Sequence, residues 1–130
     1  MKTLIGTSVL AGAVAISTLA AAGLPSSRKV GVFNFTRPTV IAGAMVSGHV
    51  VIAHDDAKMA RGEACTTVYH YDRKAVTRQG DEIVSFHCRP TARPLATTAQ
   101  VRSERSISSP DHLLEYQLAG ETEGHIVPSR

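Results

Sequence analysis

The chain reads as an all-β protein, a small antiparallel β-barrel or sandwich behind an N-terminal signal helix. Three observations predict this. Short runs of β-branched and aromatic residues recur along the chain, most clearly Thr66-Thr67-Val68-Tyr69 with Tyr71. Gly, Pro, Ser and Asp clusters separate these runs at turn spacing. No long stretch carries the 3.6-residue period of an amphipathic helix.

The first 22 residues read as a signal peptide. Lys2 gives a short positive region, Leu4 to Leu19 is apolar and uncharged, and Ala20-Ala21-Ala22 offers small side chains for cleavage. The apolar run is shorter than the ~20 residues that span a bilayer. No later segment is apolar enough to cross one, so no membrane span is expected in the mature chain. Cleavage after Ala22 removes 22 of 130 residues and leaves 108, enough for one modest core. The expected localisation is exported, periplasmic or secreted. Residues 23–28 form a flexible leader, 29–119 the β-domain and 120–130 a C-terminal tail.

Within the domain, Lys29 to Thr36 reads as a strand ended by Arg37-Pro38, followed by Thr39-Val40-Ile41. Ala42-Gly43 and Ser47-Gly48 then read as tight turns, the second placing Val46 opposite His49. His49 to His54 is a strand. Asp55 or Asp56 caps a short helical turn over residues 55–61, which Gly62 ends. Glu63 to Tyr71 and Glu82 to Arg89 form a hairpin across a polar loop. Leu95 to Ser106 is a weak edge strand. His112 to Ala119 alternates, with Leu114, Tyr116 and Leu118 on one face. The expected core is Val32, Ile41, Val51, Val68, Phe86, Leu114, Tyr116 and Leu118, or their face-mates.

Thr39 to Ile52, with its Gly-containing hairpin and apolar strand, resembles small exported bacterial β-domain proteins of unassigned function. Those proteins often carry Pro-Ala-Gly at the turn and an aromatic two residues on; this chain has Val46-Ser47-Gly48 and Val50. The resemblance implies a compact β-domain and assigns no functional residue.

Charge excludes some function classes. Lys and Arg number 14 against 11 Asp and Glu, and loss of Lys2 with the signal peptide leaves about +2. The basic residues are scattered, so nucleic acid is not an expected partner.

Four candidate chemistries remain. Cys65 and Cys88 are the two cysteines, and export favours a disulfide. In a register pairing Cys65 with Cys88, Thr67 with Phe86 and Tyr69 with Val84, a bridge would contribute roughly 3–4 kcal/mol. The six histidines invite a metal reading. Cys65, His70, His87 and Cys88 cannot meet at one ion in that register, because His87 and Cys88 point to opposite faces. A second set fits better: Glu121, Glu123 and His125 alternate along the tail, and His54 with Asp55 and Asp56 could add ligands for zinc or copper. A small hydrolase would need His54, Asp55 and a tail residue in one concave pocket. No nucleophile elbow, phosphate loop or Cys-x-x-Cys is present, so no catalytic residue is assigned.

The favoured expectation is a non-enzymatic binding or structural domain of the cell envelope, without a cofactor, whose partner is a protein or small molecule. Its alternatives are a zinc- or copper-binding exported protein and, third, a small hydrolase.

Overall fold

Two long apolar strands found the sheet. β1 (Arg28–Ile41) and β2 (Ala44–Asp55) pair antiparallel, from Arg28 opposite Asp55 to Ile41 opposite Ala44. Ala42 and Gly43 join them with φ of 48° and 87°. Positive φ at both central residues is the type I′ geometry that matches strand twist. Pro38 does not end β1 and Ser47-Gly48 is no turn, in contrast to the sequence expectation. Both fall in a bulge between Phe35 and Thr39, where Gly48, at φ 75°, stands opposite Phe35. Inside a bulge proline removes no ladder donor and glycine supplies the bend, so both strands run on.

The computed structural model describes residues 27–129, and these form one mostly β, curled half-barrel sheet. Residues 1–22, read as the signal peptide, lie outside the described residues. After β2 come α1 (Asp56–Ala60), β3 (Thr66–Tyr71), β4 (Gln79–Phe86), β5 (Arg89–Ala92), β6 (Gln100–Glu104), β7 (Asp111–Gln117) and β8 (Glu123–Ile126). The sheet order is β4-β3-β2-β1-β7-β8-β5, with β6 on β7. The β1–β7 contact is parallel, through Thr39–Asp111 and Val40–His112, so the sheet is not purely antiparallel. Among the described residues, no helix is long and apolar enough to cross a membrane.

α1 forms as expected. Asp55 is its N-cap, accepting from the Ala57 and Lys58 amides at 2.9 and 3.2 Å.

Two register findings move the core. β3 and β4 pair Thr66 with Phe86 and Val68 with Val84, one residue from the expected register, so Thr66, Val68 and Phe86 face inward. In β7, Arg102 pairs with Glu115 and Ser103 with Leu113, which leaves Leu114 as a bulge. The bulge resets the alternation: Leu113 and Tyr116 are both buried and Leu114 is only half-buried. Val32 is exposed and its neighbour Phe33 is buried. Ile41, Val51, Val68, Phe86, Tyr116 and Leu118 are buried as expected.

Residues 123–126, read from sequence as tail, are strand β8, with Glu115 opposite Ile126 and Tyr116 opposite His125. Gly124 lets this strand lie flat. A Cβ there would stand 2.6 Å from Glu115 Oε2. That carboxylate cannot swing away, because Arg93 grips it at 2.6 and 2.8 Å and Arg102 at 3.2 Å. Gly124→Ala is therefore expected to cost about 2 kcal/mol, from overpacking. Chemical denaturation checks this, and an unchanged midpoint would contradict the packing account.

Candidate functional site

The concave side of the curled sheet brings the ends of separate strands together. His54 is the last buried residue of β2, between Lys29 on β1 and Thr66 on β3. His125 sits on β8 opposite Tyr116. Cys88 lies between β4 and β5, and Cys65 immediately precedes β3. Donor atoms of His54, Cys88 and His125 lie within 4.8 Å of one another, and all three residues are buried.

The imidazoles of His54 and His125 overlap at a centroid distance of 4.0 Å, and His125 stacks on Tyr116 at 4.9 Å. Cys88 Sγ is 3.7 Å from His125 Nδ1. On the far side of that ring, Nε2 is 2.9 Å from Glu121 Oε2. A carboxylate accepts only, so the neutral ring carries its proton on Nε2 and turns the Nδ1 lone pair toward Cys88. Lys29 Nζ, 3.0 Å from Glu121 Oε1, compensates the carboxylate charge. Burial raises the Glu121 pKa, but hydrogen bonds from His125 and Lys29 outweigh it and hold the carboxyl below its ordinary value. Tyr116 Oη and Thr66 Oγ1, 2.5 Å apart, complete the polar floor.

His54 is the unusual member. Its side chain is fully buried, and neither ring nitrogen makes a hydrogen bond among the described residues. Nδ1 lies 3.2 Å from Asp56 Oδ1, but without hydrogen-bond geometry. Burial, reinforced by the adjacent His125, lowers its pKa to about 4, so the ring is neutral at pH 7 with a lone pair available. Burial and the contact with Cys65 push the Cys88 thiol up.

The expected disulfide is corrected. Cys65 and Cys88 are free thiols with sulfurs 2.9 Å apart, against the 2.03–2.05 Å of a covalent bridge. The two cysteines lie beyond the paired ends of β3 and β4, and the Cys88 amide donates to Cys65 Sγ at 3.2 Å.

The sequence-derived metal set is divided. His54 and His125 are brought together. Glu121 stands behind His125. Glu123 is 3.8 Å from His125 Nδ1 and partly exposed. Asp55 points outward, its Oδ1 taken by the helix cap and by Ser27 Oγ at 2.9 Å. His70 and His87 are exposed, and His87 Nδ1–H donates to the Glu63 carbonyl at 2.9 Å. Sequence reasoning missed Cys88 as a partner of His54 and His125. It also missed Met59 of α1, whose Sδ is 3.9 Å from Cys88 Sγ. The inward-facing apolar residue of a capped helical turn was the available signal for Met59.

The hydrolase arrangement does not assemble in the cavities beside these residues. The cavity that His54 and Asp55 share, about 50 Å³, is lined by Arg28, Lys58, Cys65 and Tyr69 among others, with no tail residue. The cavity lined by Glu121 and Glu123 includes Asp56 and Met59 but not His54.

Comparison of the chain with protein-family models, with curated proteins and with solved structures returns no match.

Proposed function

We propose that this chain is an exported metal-binding β-domain that holds one zinc or copper ion between His54, Cys88 and His125. One observation carries the reading above that of a general envelope-binding or structural domain. Among the described residues His54 is a fully buried imidazole with no hydrogen bond at either nitrogen, beside a second imidazole and a thiol. Buried polar groups are ordinarily satisfied, and an unpaired buried imidazole nitrogen costs about 1–3 kcal/mol unless something ligates it. Nδ1 has Asp56 Oδ1 at 3.2 Å, which leaves Nε2 as the nitrogen with nothing beside it to pair with. Two imidazoles and a thiolate suit zinc and copper rather than magnesium or calcium. The carboxylate on the far nitrogen of His125 is the usual outer partner of a metal-bound histidine. The signal-peptide pattern of residues 1–22 supports the exported setting.

The test is metal content and thermal stability of purified protein, stripped with chelator and titrated with zinc sulfate or with copper. One equivalent is expected to bind. At a free concentration of about 100 times Kd, binding adds about 2.7 kcal/mol of stability, visible as a higher Tm. His54→Ala and His125→Ala should each abolish stoichiometric binding and the Tm rise. Absence of binding by the wild-type protein, or binding unchanged in both variants, sinks the proposal.

A further inference from the structure

We propose that the ion is copper, held by His54, His125 and Cys88 with the Met59 thioether as a fourth, weak donor. This rests on the metal-site reading above and chooses among the ions it allows.

Two observations separate copper from zinc. The first is Met59. Its sulfur is 3.9 Å from Cys88 Sγ, and thioethers suit copper. Two imidazoles and a thiolate with a long methionine contact form the donor set of redox-active copper sites. The second is Cys65. A structural zinc site closes its tetrahedron with a fourth strong ligand, and Cys65 is the thiol at hand. Cys65, however, is not in the mutually close set of donors. Cys65 is placed instead to hydrogen-bond the Cys88 sulfur, a contact that tunes the potential of a copper thiolate.

Access fits this assignment. Met59 lines a surface cavity of about 360 Å³ with Lys29, Asp56, Glu121, Thr122 and Glu123. With Lys29 offsetting Glu121, Asp56 and Glu123 leave that mouth negative and attractive to a cation, and the partly buried Met59 side chain stands between the mouth and Cys88.

The experiment titrates the stripped full chain with copper(II) sulfate, with copper(I) chloride under reductant, and with zinc sulfate. The copper(II) form is expected to show an intense visible thiolate-to-copper absorption that is lost in Cys88→Ser. Cys65→Ser should keep that absorption, which also removes the second thiol as a reductant of copper(II). Met59→Leu should keep the absorption and shift the copper midpoint potential upward, because the oxidised ion loses a donor. A potential unchanged in Met59→Leu overturns the assignment. So does zinc bound in preference to copper(I) with Cys65 required; that result leaves the metal site itself standing. Failure of the wild-type chain to bind any of the three ions overturns both readings.

Discussion

Metal-free protein is expected to lose about 3 kcal/mol of unfolding free energy as pH falls from 6.5 to about 4, because of His54 alone. The folded-state pKa of this group is depressed, from 6.5 to about 4, mainly by burial and then by His125. Above pH 6.5 the ring is neutral in both states and the folded form keeps its full stability. Below 6.5 the unfolded chain takes up a proton that the folded chain refuses, so each step down in pH favours unfolding. Below about pH 4 both states are protonated and this loss stops. Asp55, Asp111, Glu115 and Glu121 have depressed carboxyl pKa values, so their losses begin only in the lower, carboxylate range. Denaturant titrations at stepped pH, with chelator present, measure the slope. His54→Phe fills the same space with no titrating group and should flatten the curve between pH 6.5 and 4.5. The same slope in that variant would show that His54 is not its source. A bound metal should also flatten it, since ligation blocks the proton's place.

This acid destabilisation depends on His54 facing inward, and the sequence signals that only in part. Val50-Val51-Ile52-Ala53-His54 is an apolar run that marks a strand buried on both faces. A polar residue at its end reads equally well as the first solvated position. What decides is the curl of the sheet, which closes β8 over the end of β2. β8 has only four residues and two of them, Glu123 and His125, are ionisable, so its composition reads as tail. Its place in the sheet comes from β7 on one side and β5 on the other, a long-range fact with no local signature.

Elsewhere the difference between expectation and structure is one residue of register. The strand over residues 66–71, the capped turn at Asp55 and the inward-facing Phe86 follow from propensity and capping chemistry. Bulges do not. The bulge at Leu114 changes which of Leu113 and Leu114 enters the core, and the Phe35–Thr39 bulge carries a proline through a strand. The one-residue change in the β3–β4 pairing places both cysteines beyond the paired strand ends, where Cys88 meets His54 and His125. The candidate site was thus present in the sequence as two halves: cysteines read as a staple, and histidines with carboxylates read as a metal set. Their union depends on tertiary closure of the sheet.

The carboxylate half of that set has a defined consequence. Replacing Glu121 by Leu is expected to weaken metal binding about 100-fold, and by Gln about tenfold, the range found when outer partners of metal ligands are removed. Glu121 is not itself a ligand in this account. It accepts the His125 Nε2 proton at 2.9 Å, which keeps Nδ1 unprotonated on the side of Cys88 and fixes the ring. Leucine removes the acceptor, so the proton is free to move to Nδ1 and block ligation. Glutamine offers a carbonyl that holds the tautomer but lacks the charge that makes the imidazole a better donor. Either change leaves Lys29 without its ion-pair partner. Lys29 is half-exposed, its ammonium can turn to water, and little stability should be lost on that account. Competition titrations with a chelating dye give the affinities, and Lys29→Met serves as the control, expected to change affinity far less than Glu121→Leu. If Glu121→Gln and Glu121→Leu weaken binding equally, the carboxylate acts through its charge and not through the histidine tautomer. If neither weakens binding, His125 is held in place by stacking on Tyr116, and the role given to Glu121 fails.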